Sequence, residues 1–407
     1  MRLLILVDTY VPARISAALQ MHDLALEFVR QGHRPTAVVP APDLDRAWII
    51  EDLDGVEVLR VKALRTKDVG HVRRALAELL LPLFLLRGLS NSPLAGESWD
   101  GVVWYSPTIF LGPMVRLLKR RLGIKGYLIL RDLFPDWAVD AGILRRGLVY
   151  RFFKRIERYQ YGVADVIGVQ TPGNVPLVKT MAARGNARIE VLNNWLSEPS
   201  VRRSSISLAA TALAGKTIFV YAGNMGVAQG MDYLLQLAFE LRDRRDVGFL
   251  FVGRGTEAVR LREYSALHEL RHVLFMGEID SNEIPGLLEQ CHVGMIALDP
   301  RHTTHNIPGK FLAYLRAGLP VLARINAGND LEQVIHAEGV GYVCTDASEE
   351  ALCQMAEKLL NTPRLREQMA SRGRALAARE YSSSGAVQYG TWRADQHAET
   401  ETCGGSP

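Results

Sequence analysis

Short apolar runs and longer amphipathic stretches alternate along the first 200 residues of the chain. The apolar runs predict strands at residues 2–8, 35–40, 56–61, 101–105, 126–132, 166–170 and 189–192. Amphipathic stretches such as 16–31 and 144–162 lie between most of these runs and predict helices. Near-continuous apolar strands separated by helices are typical of a parallel sheet covered on both faces.

The same alternation starts again after a region of different character. Residues 195–215 are rich in serine and alanine and have little apolar periodicity, which predicts a linker. Beyond it, strands are predicted at residues 217–223, 247–253, 272–277, 293–299, 320–324 and 341–344. The chain therefore predicts two doubly wound α/β domains facing each other across a cleft, with ligands at the carboxyl ends of the strands.

The predicted domain boundaries follow from this alternation. An N-terminal domain takes residues 1–200, and a C-terminal helix at about 381–396 joins it. The second domain takes residues 201–380, and residues 397–407 are predicted to be a disordered tail. The 407 residues are enough for two full cores.

Composition fits a globular protein in a reducing compartment. Hydrophobic residues make up 48% of the chain and charged residues 23%, which is ordinary for a soluble protein. The four cysteines have no metal-ligand spacing. The N-terminal apolar stretch ends at Asp8 and is too short for a signal peptide. Residues 76–86 are strongly apolar, but Pro82 interrupts them and they fall short of a membrane span.

One motif places a proline, a glycine and a lysine at the start of a predicted helix, HNIPGKFLAYLRAGLPV, residues 305–321. The first N–H groups of a helix lack partners, and the helix dipole adds roughly half a positive charge there. Pro308 has no N–H to leave unsatisfied, Gly309 allows close approach of a ligand, and Lys310 adds a full charge. The pattern predicts an anion site, typical of phosphate. The alternative is a capped helix with a solvated lysine.

Two further strand-to-helix turns in the second domain are rich in glycine. Residues 219–235 contain a strand, a loop with three glycines and a helix, and residues 249–261 contain a Gly-Arg-Gly turn in the same setting. One such turn is weak evidence, because tight turns need glycine anyway. Three of them in one domain, one with Arg254 and one with Lys310, favour a nucleotide or sugar-phosphate site.

The order of these motifs resembles glycosyltransferase family 4, of GT-B fold, over about residues 1–380. The resemblance rests on AGNMGVAQGMD, FLFVGRG, VLFMGEI and HNIPGKFLAYLRAGLPVLA in the second half, and on ALEFVRQGHRPTAVVP and YLILRDLFPDW in the first. It is closest to the branch that builds bacterial O-antigens and capsules, which includes N-acetyl-fucosamine transferases.

The resemblance implies a retaining glycosyltransferase that needs neither metal nor cofactor. It would move a sugar from a nucleotide-sugar donor, a UDP-sugar being favoured and a UDP-N-acetyl-amino sugar included, to a lipid-linked polyprenyl diphosphate acceptor. The implied donor-binding residues are Gly223, Asn224, Met225, Gly226, Gly253, Arg254, Met276, Gly277, Asn306, Ile307, Pro308, Gly309 and Lys310. Ile15 and Ser16, in the first strand-to-helix loop, would close over the diphosphate.

The candidate catalytic residues are Asp132, His305 and Lys310. Asp132 follows a predicted strand, where it would orient or deprotonate an acceptor hydroxyl; alternatively, it pairs with Arg131 or caps the next turn. Asp136 is a weaker candidate. Lys310 and the helix start would stabilise the leaving diphosphate in place of a metal.

The chain departs from the family pattern at several positions. Many members have an arginine and a lysine in the first glycine loop, where this chain has Asn224 and Gln229. The paired family glutamates would fall at His305 and Ala313, and both are replaced. The missing glutamates are the best argument for one alternative, a non-catalytic nucleotide-sugar-binding subunit. A second alternative is a nucleotide-sugar 2-epimerase, which shares the two-domain architecture but would need acid/base carboxylates that this chain lacks at these positions. Turnover with an acceptor distinguishes them from a transferase.

A metal site is not predicted. Two Asp-X-Asp matches occur, at residues 43–45 and 52–54, but so short a pattern is common by chance. His302 and His305 have no carboxylate or thiol near them in the sequence. Polar cleft residues are the favoured interpretation of both histidines.

A basic segment at residues 116–158 contains twelve lysines and arginines against four acidic residues. Its second helix is amphipathic, and the predicted membrane-contacting residues are Arg151, Lys154, Arg155 and Arg158. A peripheral position on the cytoplasmic face of the inner membrane would suit a lipid-linked acceptor; the alternative is a core-packed helix with a solvated basic face. No nucleic-acid motif or aromatic platform accompanies the charge, so nucleic acid is not a predicted partner.

Overall fold

A computed structural model describes residues 1–389 except 14, 67–68, 141, 183–184, 197–203, 300–306 and 347. Its strands form two sheets. The first sheet contains β1 (Arg2–Leu6), β2 (Arg34–Pro40), β3 (Trp48–Leu53), β4 (Val56–Val61), β5 (Gly101–Ser106), β6 (Lys125–Leu130), β7 (Val166–Val169) and β8 (Arg188–Val191). The second contains β9 (Thr217–Ala222), β10 (Val247–Val252), β11 (Val273–Met276), β12 (Val293–Ala297), β13 (Val321–Arg324) and β14 (Gly341–Cys344).

Helices connect most of the successive strands in both halves. The N-terminal half contains α1 (Ser16–Arg30), α2 (His71–Asn91), α3 (Gly112–Leu122), α4 (Asp136–Asp140), α5 (Leu148–Val163) and α6 (Asn174–Ala182). The C-terminal half contains α7 (Asp232–Glu240), α8 (Ala258–Leu267), α9 (Ile284–Leu288), α10 (Gly309–Ala317), α11 (Asp330–Glu338), α12 (Glu349–Asn361) and α13 (Pro363–Glu380), and α14 (Ser383–Tyr389) follows. Short 3-10 turns lie at Pro93–Gly96, Leu208–Ala210 and Val227–Gln229.

Both sheets have the strand order of a doubly wound fold, so the predicted fold class is confirmed. The first runs β3-β4-β2-β1-β5-β6-β7-β8 and the second β11-β10-β9-β12-β13-β14. In each sheet the order reverses beside a central strand, β1 in the first and β9 in the second, which places a ligand-binding crevice at the carboxyl ends of these strands.

One strand was not predicted. β3 is half-exposed at the sheet edge and pairs antiparallel with β4. A tight turn at Asp54 and Gly55, which have φ of +58° and +85°, joins the two strands. The Asp-Gly pair is the usual signal for such a hairpin. The acidic residues around it hid the apolar alternation, so the expectation of a purely parallel first sheet is wrong at this edge.

The helices cover the first sheet in two layers. One buried cluster joins residues of α2, α3, α5 and α6 to one face of the sheet. On the other face α1 packs, and Ala386 and Val387 of α14 belong to that same cluster. The chain therefore returns to the N-terminal half at its end. Trp195, inside the predicted linker, is fully buried in this second cluster, whereas residues 197–203 of the linker and the predicted tail lie outside the described residues.

Candidate active site

The helix start predicted from the HNIPGK motif is present in the second half. α10 begins at Gly309, after Pro308 in an extended conformation with φ −70° and ψ 145°. It ends at Ala317, and the next residue, Gly318, has a φ of +75° that suits a glycine after a helix terminus. Four side chains of α10 anchor it in the core: Phe311, Leu312, Tyr314 and Leu315. Its first turn contains no acidic residue that would offset the positive end of the helix dipole.

Lys310 lies half-buried at the carboxyl end of β9 rather than in bulk solvent. Its Nζ is 3.7 Å from the centroid of the Tyr221 ring. A Cβ on Gly223 would lie 3.3 Å from the same Nζ, so the glycine leaves room for the ammonium group. Desolvation lowers the pKa of Lys310 to about 7. No hydrogen bond or ion pair of this ammonium is found among the described residues, so it is available to an anion.

The glycine loops after β9 and β10 pack backbone against backbone. Gly253 has φ +137°, and a Cβ there would come within 2.0 Å of the Gly223 carbonyl oxygen. A Cβ on Gly255 would likewise come within 2.2 Å of the Met225 carbonyl oxygen. The Gly223 N–H donates to Val252, and the Met225 N–H donates to the Arg254 carbonyl. The glycines therefore hold the two loops together, and this is a structural reason for their presence.

Two predicted donor-binding side chains lie in the interior. Met225 is fully buried in the core, and its N–H and carbonyl both bond to the second glycine loop. Ile307 is buried as well, and its carbonyl oxygen accepts two hydrogen bonds. Because both side chains are buried, any contact of these two residues with a donor would have to come from their backbone. The Gly226 N–H is also engaged, because it donates to Gln229 Oε1 at 3.0 Å.

Other predicted donor residues are open to solvent. Asn224 is exposed and hydrogen-bonds Gln229 at 3.3 Å. Arg254 is exposed and forms an ion pair with Glu278 at 3.3 Å, so its charge is partly offset. Gly277 is exposed with open space around it, and Met276 is half-buried, with a carbonyl that accepts from the Gly253 N–H.

The first strand-to-helix loop of the N-terminal half meets the start of α10. A Cβ on Gly309 would lie 3.6 Å from the Ser16 hydroxyl oxygen. Ser16 opens α1, and the preceding Ile15 has an extended conformation without a side-chain cap. The first residues of two helices from different halves of the molecule therefore lie close together. Because both ends are positive, the arrangement favours an anion between them.

Asp132 is a solvent-accessible carboxylate just beyond the carboxyl end of β6. Desolvation by the surrounding protein raises its pKa to about 6, with Asp8 contributing in the same direction and Arg131 opposing it. Arg131 points elsewhere: it donates to the carbonyls of Leu192 and Asn193 at 2.5 and 3.2 Å. Among the described residues, Asp132 has neither an ion pair nor a hydrogen bond through its side chain. The alternative, a structural pair with Arg131, does not fit this geometry.

Asp136, the weaker candidate, is engaged in hydrogen bonds that hold two helices together. It accepts hydrogen bonds from Tyr150 at 2.7 Å and from Lys154 at 2.5 Å. These bonds tie α4 to α5. Asp136 is therefore occupied, and Asp132 is the better placed of the two carboxylates.

A chain of buried amides connects the two halves beside the helix starts. Gln170, directly after β7, donates to the carbonyl oxygen of Ile307 at 2.8 Å, and Asn194 donates to the same oxygen at 2.8 Å. Asn194 in turn accepts from Gln20 of α1 at 3.4 Å. Sequence reasoning missed Gln170 and Asn194. The place of Gln170 at a strand end was a usable signal, whereas the pairing of Asn194 with residue 307 spans 113 positions.

The basic helix α5 presents only part of its charge to solvent. Arg151, Arg155 and Arg158 are exposed. Lys154 is buried, with its Nζ 2.5 Å from Asp136 and 2.7 Å from Glu157. The prediction that Lys154 contacts a membrane is therefore wrong, because helical periodicity turns it towards α4 and α6. The three arginines line a groove of about 850 Å³ between α5 and the end of α6.

Within the described ranges, no cluster of three or more histidine, cysteine, aspartate or glutamate residues suits a metal ion. The Asp-X-Asp matches have structural partners. Asp43 pairs with Arg65 at 2.5 Å, Asp52 accepts from the Gly55 N–H at 3.0 Å, and Asp54 lies 3.4 Å from His22. The predicted residues His305 and Asn306, with His302, lie outside the described residues.

Comparison with known proteins finds a family match in the second half of the chain. The family "Glycosyl transferases group 1" matches residues 216–362. The probable glycosyltransferase WbjE of Pseudomonas aeruginosa is 25% identical over 60% of this chain, and the match spans 62% of WbjE. The putative colanic acid biosynthesis glycosyl transferase WcaI of Escherichia coli K12 is 25% identical over 67% of this chain and 69% of its own length.

Solved structures match almost the whole chain. Sucrose-phosphate synthase from Thermosynechococcus elongatus superposes with a TM-score of 0.73 at 14% identity, covering 95% of this chain and 97% of the synthase. Anabaena HepE in complex with UDP-glucose superposes with a TM-score of 0.65 at 14% identity, covering 95% of this chain and 97% of HepE. These likenesses establish the GT-B fold.

Proposed function

We propose that this chain, in which residues 216–362 form a Glycosyl transferases group 1 domain within a GT-B fold, is a retaining glycosyltransferase of surface polysaccharide biosynthesis. The observation that supports this most is the meeting of two helix N-termini, at Ser16 and Gly309, beside the ammonium group of Lys310. A diphosphate between them would have positive potential on both sides. The donor is a nucleotide sugar and the reaction needs no divalent metal.

The proposed chemistry uses these groups in one step. The bond between the anomeric carbon and the diphosphate oxygen breaks, and its electron pair leaves with the diphosphate. Lys310 and the first N–H groups of α10 stabilise that charge as it develops. The acceptor hydroxyl attacks from the same face of the sugar, which retains the anomeric configuration. Asp132 binds this hydroxyl and takes its proton, and a pKa raised to about 6 keeps Asp132 largely ionised at neutral pH.

The donor and acceptor are inferred from similarity. HepE was solved in complex with UDP-glucose, which favours a UDP-sugar here. WcaI is named for colanic acid biosynthesis, a polysaccharide, which favours a lipid-linked glycan acceptor. Arg151, Arg155 and Arg158 of α5 would bring the protein to the membrane that holds such an acceptor. Among the described helices, none has the length and apolarity to cross a bilayer.

The experiment is transfer by the purified full chain. A panel of UDP-, GDP- and dTDP-sugars is incubated with a polyprenyl diphosphate glycan, and nucleoside diphosphate release and the glycolipid product are both measured. We expect transfer from a UDP-sugar that persists in excess EDTA, and product of retained anomeric configuration. An altered donor sugar without an acceptor would instead indicate an epimerase. Tight donor binding without turnover under any condition would contradict the proposal.

A further inference from the structure

Helix α2 is apolar on two opposite faces. Its inner face packs on the first sheet through Ala77, Leu81, Leu85 and Leu89, which are all buried. Its outer face should be polar if it met only water. Five apolar residues instead form a stripe there, with between 36% and 75% of each exposed: Val72, Leu76, Leu79, Leu80 and Leu83. We call these five residues the α2 stripe.

The spacing of the α2 stripe makes it continuous. Its members are three or four residues apart, except for the adjacent pair Leu79 and Leu80, and this spacing places them along one side of the helix. Single exposed apolar side chains are ordinary, but a contiguous row of this kind marks an interaction surface. The helix is too polar overall to cross a bilayer, so the stripe can only be covered from one side.

The charges around the α2 stripe identify its partner. α2, α3 and α5 lie side by side on the same face of the first sheet, so their outer surfaces face the same way. On these three helices, every exposed charged side chain that the structure describes is an arginine, three on each helix, among them Arg87, Arg120 and Arg155. Among the carboxylates that the structure describes, only Glu78 pairs with one of these nine arginines, Arg74 of α2, and Glu78 itself is partly buried.

We propose that the α2 stripe and the arginines of α2, α3 and α5 form a docking surface for an anionic lipid bilayer, with α2 lying in the plane of the membrane interface. The leucines would enter the boundary between headgroups and acyl chains, and the arginines would contact lipid phosphates. A second copy of this chain is a poor partner, because the same face would set arginines against arginines. The proposal extends the membrane part of the proposed function but does not depend on catalysis.

Vesicle flotation without donor or acceptor tests the proposal. The triple variant Leu76→Gln, Leu79→Gln, Leu83→Gln removes most of the stripe and keeps good helix formers. The matched control is the double variant Val259→Gln, Leu267→Gln, which changes two exposed apolar residues of α8 in the C-terminal half. We expect the triple variant to lose at least about tenfold in affinity for phosphatidylcholine vesicles containing about one third phosphatidylglycerol, and the control to bind like wild type.

Two further measurements keep the result unambiguous. The single variant Leu83→Gln, at a site 63% exposed, cannot unfold the helix, and we expect a several-fold weaker affinity from it alone. Nucleoside diphosphate binding should be unchanged in every stripe variant, which separates a failure of docking from a failure of the donor site. Flotation of the triple variant like wild type would overturn the proposal, as would a wild-type dimer in solution that the stripe variants dissociate.

Discussion

The two sides of the cleft differ in what they present: backbone contacts between loops on one side and solvent-exposed side chains on the other. On the C-terminal side, the glycine loops after β9 and β10 bond to each other through their backbones, and the N–H groups of Gly223, Met225 and Gly226 all have acceptors within the protein. On the N-terminal side, Asp132 and Ser16 present side chains to solvent. The C-terminal side is thus a rigid frame, and among its described residues Lys310 is a cation without an ion-pair partner. In the proposed mechanism the N-terminal side supplies the reactive group.

This difference explains why the sides tolerate change differently. A frame held by backbone contacts fails when a side chain is added to it, because the loops cannot separate without losing several hydrogen bonds. A site made of exposed side chains loses chemistry without losing its fold. We therefore expect stability effects from the donor loops and turnover effects from Asp132.

The largest effect is expected from Gly253→Ala. The new Cβ would come within 2.0 Å of the Gly223 carbonyl oxygen, at a φ of +137° that L-residues rarely adopt. Strain and clash together should lower the free energy of unfolding by at least about 3 kcal/mol. Thermal unfolding and calorimetry with a nucleoside diphosphate measure the result.

Gly277→Ala is the matched control for Gly253→Ala. Gly277 follows the neighbouring strand β11, yet nothing lies within 4 Å of a Cβ placed there. We expect its melting temperature to stay close to that of wild type. Equal melting temperatures for the two alanine variants would mean that the loops do not form the rigid frame described above.

The second effect concerns Asp132→Asn on the acceptor side. This isosteric change removes the proposed base, and general-base catalysis is worth about 100-fold or more in rate. Donor affinity and stability should be nearly unchanged. Because the pKa of Asp132 is raised to about 6, wild-type turnover should fall as the pH drops below 6, and the residual turnover of the variant should lack this dependence. Normal turnover in Asp132→Asn would exclude it as the base.

How much of the fold and of the candidate site could be predicted from the sequence depends on how far apart in the chain the contacting residues lie. The strands at 56–61 and 341–344 were predicted with their observed ends, because apolar periodicity is a local signal. The glycines at 253 and 255 were recognised as a tight turn, but their close contact with residues 223 and 225 joins two strands and leaves no local trace. Lys154 was misplaced for the same reason, since its partner Asp136 lies on another helix.

The third effect is expected from Lys310→Met. Removing the charge should lower kcat by about tenfold or more and weaken nucleoside diphosphate binding, while nucleoside monophosphate binding changes less. Stability should not fall. Burial lowers the pKa of Lys310 to about 7, so between pH 7 and its unfolded value the unfolded chain binds more protons, and protonated Lys310 opposes folding.

The same pKa gives a pH dependence to donor binding. Above pH 7 Lys310 is neutral in the free protein and must take up a proton when the diphosphate binds. Wild-type affinity should therefore fall as the pH rises above 7, where the phosphates no longer titrate. Calorimetry in buffers of different ionisation enthalpy measures the proton uptake directly. If wild type and Lys310→Met show the same uptake, the lysine does not contact the diphosphate.

The smallest effect, and the one that links the two sides, concerns the carbonyl of Ile307. Gln170 and Asn194 of the acceptor half both donate to it, two residues before α10 begins. Gln170→Met and Asn194→Leu should each weaken donor binding by only about 1 kcal/mol, because the other donor remains. In the double variant the loss of donor-binding free energy should exceed the sum of the two single losses. The buried carbonyl oxygen then loses both donors, and α10 is no longer fixed against the N-terminal half.

Gln160→Met is the control: Gln160 is a buried amide that donates to the Thr108 carbonyl oxygen at 3.3 Å entirely within the N-terminal half. It should lower stability to a similar extent and leave donor affinity unchanged. Additive losses in the double variant, or an equal loss of affinity in Gln160→Met, would mean that these amides stabilise the protein without positioning the donor helix.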